Sequence, residues 1–258
     1  MNTTIGIITF TYSREKYILE NYFNSLIKLD PDQICLLDTT YPFDPYFYKW
    51  LQDIVQKKGL RNLRIGHLPI NGNHTKAKQI LLDHMAETDW VISLDSDEML
   101  TLEMAQDLRK KIESLPRHVT SLRVKKINLT DDNHCLDGVL WNNIRPPVTN
   151  HPQIMKRGHG KFVGHPGYDF KRHTIYEYDG RKTIPLHSDN HPMKDWTGYY
   201  MIHLWLYKDN LNKWHPEKWK RKQIDDGINI KGTLEYIKQR GWNIIDLPKN
   251  IATWEKIV

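Results

Sequence analysis

The 258-residue sequence predicts an α/β fold with a mainly parallel, doubly wound sheet. Three observations carry that expectation. Strand-like and helix-like segments alternate four times within about 115 residues, the rhythm of βαβ units. The strand candidates carry apolar residues, and Val91, Ile92 and Leu94 suit a strand covered on both faces. One of them, Trp90-Val91-Ile92-Ser93-Leu94, ends abruptly in Asp95, Asp97 and Glu98. The carboxyl ends of such strands are where open α/β sheets bind ligands.

The elements follow in order. Thr4 to Thr11 reads as the first strand, with Ile5, Ile7, Ile8 and Phe10 as its apolar members. A polar turn, Thr11-Tyr12-Ser13-Arg14, leads into a helical pattern carrying Ile18, Leu19, Tyr22, Phe23 and Leu26. Such a strand-turn-helix opening sets backbone N–H groups and Arg14 where an anion can sit. Ile34 to Leu37 is a second strand with Asp38 at its carboxyl end. A Pro- and aromatic-rich stretch, Tyr41 to Tyr48, precedes a helix that runs through Lys57. Leu63 to Leu68 is a third strand, Asn71-Gly72-Asn73 a loop, and Thr75 to Met85 has helical spacing. After the acidic strand comes a helix from about Leu102 to Ser114. No Gly-rich dinucleotide fingerprint follows the first strand and there is no Walker-type loop.

Past Pro116 the pattern changes. Ser121 to Ile127 is strand-like, and polar, Pro-rich segments then run to about Pro185. An amphipathic stretch spans Tyr199 to Tyr207, a basic-aromatic run spans Lys213 to Lys222, and a last helix is expected over about Gly232 to Gln239. With no flexible linker in view, residues 1–118 read as a ligand-binding half and 119–258 as a second half packed on the same sheet.

Composition narrows the class. A hydrophobic share of 39% beside 26% charged residues fits a soluble globular chain, and no apolar stretch is long enough to cross a membrane. The chain opens directly into a strand, so no signal peptide is expected. Cys35 and Cys135 lie far apart without metal-ligand spacing, which points to reduced thiols and a cytoplasmic setting. The net charge of +6 favours an anionic partner, whether nucleic acid, an anionic glycan, a membrane surface or the phosphates of a nucleotide.

On an extended backbone Asp95 and Asp97 point the same way. Two carboxylates converging there would repel each other without a cation between them, and hard oxygen donors suit Mg²⁺ or Mn²⁺. The plain alternative is an acidic turn, in which Asp and Ser serve backbone geometry only.

Several segments, in matching order over about 220 residues, resemble family 2 glycosyltransferases of the GT-A fold. Thr9-Phe10-Thr11-Tyr12-Ser13-Arg14 resembles the family's opening P-T-Y-N-R, with Phe10 and Ser13 as departures. Asp38 matches the acidic residue that contacts the nucleotide base. Ala77-Lys78-Gln79 resembles A-R-N, and Asp89-Trp90-Val91-Ile92-Ser93-Leu94-Asp95-Ser96-Asp97-Glu98 is very similar to D-W-I-L-x-L-D-A-D-E. Pro152 to Arg157, with Phe162 and Gly164, resembles the segment leading to the acceptor side. Ile202-His203, with Lys213 ten residues on, is similar to the late histidine that completes the metal site; Trp205 stands where a Gly is usual.

The resemblance implies a GT-A sheet with a smaller mixed acceptor-side subdomain, and a metal-dependent transfer from a UDP-sugar to an acceptor hydroxyl. Thr9, Thr11, Tyr12, Arg14, Asp38, Lys78 and Asp95 would face the nucleotide-sugar, with Asp95 on the ribose or bridging to the metal. Asp97 and His203 would join it in holding the cation, and an imidazole ligand favours Mn²⁺ over Mg²⁺. An inverting transfer needs a general base. The family's His-Glu is replaced here by His165-Pro166-Gly167-Tyr168-Asp169, leaving Asp169 first and His165 second, and a retaining outcome is not excluded.

The acceptor expected from this resemblance is a bacterial surface glycan or its precursor, or alternatively hydroxymethylated bases in DNA. The DNA reading rests on Lys213, Lys218, Lys220 and Arg221 as a phosphate-tracking surface. Two readings of other kinds compete. One is a nucleic-acid-binding protein without catalysis; the other is a metal-dependent phosphodiesterase, which needs more clustered His and Asp ligands than the sequence offers.

Overall fold

The computed structural model describes residues 3–70, 73–85, 88–117, 119–136, 154–164, 174–178, 193–204, 235, 237–238, 241 and 243–247. The strands are β1 (Ile5–Thr11), β2 (Gln33–Asp38), β3 (Leu63–His67), β4 (Trp90–Ser93), β5 (Glu98–Leu100), β6 (Ser121–Asn128), β7 (His134–Leu136), β8 (Ile154–Lys156), β9 (Gly160–Gly164), β10 (Thr174–Tyr178), β11 (Met193–His203) and β12 (Ile244–Asp246). The helices are α1 (Lys16–Leu29), α2 (Pro45–Lys57), α3 (His74–His84) and α4 (Leu102–Glu113).

Eight strands form one sheet in the order β3-β2-β1-β4-β8-β6-β11-β5. The first four are parallel, and β6 and β11 are parallel to each other. β8 and β5 join antiparallel to their neighbours. The α/β class and the mainly parallel sheet flanked by helices are therefore as the sequence predicts. β9 pairs with β10 and β7 with β12 in two small antiparallel ribbons.

Alternation along each strand sorts the core into two layers. Ile5 and Ile7 of β1, Ile34 and Leu36 of β2, and Trp90 and Ile92 of β4 pack with α1, α2 and α4. Ile8, Phe10, Cys35, Leu37 and Val91 pack on the other face with Ala77, Leu81 and Leu82 of α3. Both faces of the central strands are thus covered, which is why these runs read as continuously apolar. Burying each such Ile or Leu contributes roughly 1.5–3 kcal/mol.

Caps fix where the helices begin and end. Asp44 accepts the backbone N–H groups of Tyr46 and Phe47 at 3.0 Å each, and Pro45 opens α2 with a preset φ. Asn73 accepts from the Lys76 N–H at 2.9 Å to start α3. Asp30 closes α1 in the left-handed region at φ 48°.

One expectation changes here. The backbone is not extended through Asp97: β4 stops at Ser93, and the Glu98 N–H donates to the Asp95 carbonyl at 2.9 Å, folding residues 95–98 into a turn. The turn feeds the three-residue strand β5, which pairs with β11 about a hundred positions later in the chain. Cys35 and Cys135 are both buried and not joined in a disulfide. Among the described residues no helix is long and apolar enough to cross a membrane.

Candidate active site

Strand order reverses beside β1: the chain steps outward to β2 and β3, then returns to β4 on the other side. The crevice beyond the carboxyl ends of β1 and β4 is the switch point at which such sheets take ligands. The β1 loop, the end of β2 and the acidic turn all lie there.

Asp38 ends β2, fully buried, in register with Thr11 of β1 and His67 of β3. Its Oδ1 accepts from the Thr40 N–H at 2.9 Å and from the Thr40 hydroxyl at 2.6 Å. The same Thr40 oxygen accepts the Ser13 N–H at 2.9 Å, so the β1 and β2 loops are tied through one hydroxyl. Asp38 Oδ2 is buried with no hydrogen-bond partner among the described residues. A buried, orphaned carboxylate oxygen is costly unless a ligand donor completes it.

Thr11 is buried at the end of β1, and Thr9 lies inside the strand, also buried, against Tyr22. Tyr12 is half-buried; burial first, then the charges of Glu15 and Asp97, push its phenol well above the usual range. Arg14 is exposed on the short 3-10 turn Ser13–Glu15 that leads into α1.

The acidic turn separates its carboxylates rather than converging them. Asp95 Oδ1 lies 3.0 Å from Lys78 Nζ of α3, and the Asp95 N–H donates to Glu98 Oε2 at 3.1 Å. Asp97 Oδ2 instead lies 3.3 Å from Nε2 of His203, at the end of β11. Register explains the meeting: His203 pairs with Glu98 across β5 and with Asn128 across β6, and the Leu204 N–H donates to the Asp97 carbonyl at 2.8 Å. Asn128 Oδ1 receives the His203 Nδ1 proton at 2.8 Å, which turns the Nε2 lone pair toward Asp97.

An imidazole lone pair facing a carboxylate oxygen calls for a proton or a cation between them. Adjacent ligands on an octahedral ion with bonds of about 2.1 Å sit about 3.0 Å apart, close to the observed separation. Mg²⁺-type ions commonly take only one or two protein ligands and complete their shell with water and phosphate oxygens. Among the described residues no three His, Cys, Asp or Glu side chains are grouped to hold a metal ion, so a cation here would have Asp97 and His203 as its two side-chain ligands. The donor set fits a divalent cation that shares its shell with a phosphate. Asp95, already engaged by Lys78, is the weaker ligand candidate.

Four participants carried no distinct signal in the sequence. Glu15, buried, accepts at Oε2 from the Thr11 hydroxyl at 2.8 Å, from the Tyr12 N–H at 3.3 Å and from the Ser96 hydroxyl. Burial first, and the Asp97 charge, push its carboxyl up to about 8, against the lowering effect of those bonds. Thr40 is readable only as the end of an Asp-x-Thr turn. Ser96 reads as a turn residue, and Asn128 enters through pairing of distant strands. Of the expected residues, Asp169, His165, Lys213, Lys218, Lys220 and Arg221 lie outside the described residues. A separate cleft of about 650 Å³, lined by Gln79, Asp83, Thr88, Asp89 and Arg157 among others, opens at the opposite end of β4.

No family model and no curated protein matches the chain. Solved structures that are similar to it are glycosyltransferases of the GT-A fold. Staphylococcus aureus TarS 1-349 in complex with UDP is 24% identical over 60% of this chain and 47% of its own, with a TM-score of 0.43. The mannosyltransferase PcManGT from Pyrobaculum calidifontis, in complex with GDP-Man and Mn²⁺, is 15% identical over 49% and 36%, with a TM-score of 0.41. GalNAc-T7 with UDP, GalNAc and Mn²⁺ is 14% identical over 68% and 30%, also at 0.41. The chain thus spans less than half the length of each.

Proposed function

We propose that the chain is a glycosyltransferase that moves a sugar from a UDP-sugar to an acceptor hydroxyl with the help of Mn²⁺ or Mg²⁺. The observation that carries this reading is the pairing of Asp97 with His203 at 3.3 Å, with Asn128 fixing the imidazole, at the switch point of the sheet. Asp97 and His203 would hold the cation, which when bound stabilises the charge growing on a departing diphosphate. Asp38 Oδ2, buried with no partner among the described residues, can accept an N–H such as the one uracil presents at N3, where cytosine presents an acceptor. Lys78 holds Asp95 in place and brings a cation to the rim where a diphosphate would lie. The half-buried Tyr12 offers a ring face beside the same crevice.

On this reading the acceptor is a surface glycan or its precursor, and the transfer inverts with Asp169 as base and His165 as the second candidate. Transfer to hydroxymethylated DNA rests chiefly on the Lys213–Lys222 run, which lies outside the described residues.

The test is calorimetry with UDP in Mn²⁺ and in EDTA, followed by release of UDP from a panel of UDP-sugars. The unaltered chain binds UDP more tightly in Mn²⁺. Asp97→Ala loses that gain and slows UDP release about a hundredfold or more, with its unfolding midpoint little changed. Undiminished turnover in Asp97→Ala removes the cation from the mechanism. Salt-sensitive duplex DNA binding without UDP affinity replaces the reading with a nucleic-acid-binding one.

A further inference from the structure

We propose that Glu15 is a positioning residue, whose buried carboxyl locks the β1 loop to the acidic turn so that nucleotide and cation meet one rigid site. The inference rests on the UDP-sugar reading above. Three donors converge on Glu15 Oε2: the Thr11 hydroxyl at 2.8 Å, the Tyr12 N–H at 3.3 Å and the Ser96 hydroxyl. Two of them belong to the end of β1, and the third lies 81 positions further along the chain, between Asp95 and Asp97.

A glutamate at this point of a helix entry needs only one bond, to the N–H of the capping residue, and does that work in full contact with water. Glu15 makes that bond to Tyr12 and then two more while only 7% exposed. Burying a carboxyl is costly, and the cap alone does not require it. What the burial achieves is a bridge between the two loops that carry the site.

The bridge has a geometric consequence. Two other bonds of the acidic turn, Glu98 N–H to the Asp95 carbonyl and Asp95 N–H to Glu98 Oε2, are internal and set its shape. Lys78, His203 and the Leu204 N–H hold it against α3 and β11. The Glu15–Ser96 contact ties the turn's tip directly to the β1 loop, and so helps set how far Asp97 stands from Thr11 and Tyr12. Glu15 acts through Ser96 and Thr11, not on the substrate.

The experiment is calorimetry of UDP binding, in MnCl₂ and in EDTA, on the unaltered chain, Glu15→Ala, Glu15→Gln and Ser96→Ala. Glu15→Ala leaves buried donors unanswered and lets the turn drift. UDP affinity in Mn²⁺ falls about ten- to a hundredfold, and in EDTA it falls far less. Ser96→Ala keeps Glu15 and the start of α1 in place and shows the same asymmetry at about tenfold. Glu15→Gln, whose amide oxygen accepts from the same three donors, recovers affinity to within about threefold. Equal losses in Mn²⁺ and EDTA would reduce Glu15 to a structural group and overturn the proposal, as would unchanged affinity in both Ala variants. If Glu15→Ala does not fold, Ser96→Ala decides between the same outcomes. An unaltered chain that fails to bind UDP at all marks failure of the glycosyltransferase reading, seen in the first titration, and takes this inference with it.

Discussion

At Asp38 one carboxylate oxygen is saturated by Thr40 and the other, equally buried, is not. On the proposed function, that asymmetry would make the residue a base reader with a defined polarity. In Asp38→Asn the amide oxygen takes over the two Thr40 donors and the NH₂ group is left facing the ligand. An acceptor has become a donor. UDP affinity falls about ten- to a hundredfold, because two N–H groups now oppose each other in a buried setting. Cytosine presents an acceptor at the same ring position, so CDP loses less than UDP and the preference between them narrows. Calorimetry with both nucleotides checks this. Equal losses for the two would separate Asp38 from base recognition. His203 shows the same logic in another form, since Asn128, by taking the Nδ1 proton, decides which nitrogen faces Asp97.

At the scale of elements, close approach is as decisive as polarity. A Cβ on Gly6 of β1 would stand 2.5 Å from Met85 Sδ and 3.1 Å from Thr88 Oγ1, so the buried Met85 and Thr88 side chains after α3 would have to shift. Gly6→Ala is expected to cost about 1–3 kcal/mol, read as a lower urea midpoint at unchanged slope. β1, β2 and β4 were legible because each is an apolar run with residues for both layers, β3 through Leu63 and Ile65, and the strand ends were misjudged by about a residue. Harder to read were β5, β8 and β11, whose partners lie far away in sequence, so that no local pattern announces their pairing. The acidic tip stood out in the sequence with two readings, converging carboxylates or an acidic turn, and the backbone adopts the turn. Its shape depends on Glu98 reaching back to the Asp95 N–H, and its division of labour on Lys78 and His203 arriving from opposite sides. Glu15 escaped notice because a glutamate at a helix entry ordinarily means no more than a cap.

The molecule as a whole carries a signature of that buried carboxyl in its response to pH. Glu15 is shifted from 4.5 to about 8, chiefly by burial, with the Asp97 charge adding to the shift and the bonds from Ser96, Thr11 and Tyr12 opposing it. Between those two values the folded chain keeps a proton that the unfolded chain gives up. Stability therefore falls as pH rises through the window, and levels off above about 8, once the group is ionised in both states. Exposed carboxylates that gain partners on folding push the other way at lower pH, so the curve of the unaltered chain alone is a sum of opposing slopes. Glu15→Gln isolates the one of interest, since an amide has nothing to titrate. Urea midpoints measured from about pH 5 to 9 on both chains should diverge across the window, with the Gln variant flatter and the gap constant beyond about pH 8. Parallel curves throughout would mean that Glu15 titrates near its ordinary value, and that the bracket beside Asp97 holds an ionised carboxylate at neutral pH.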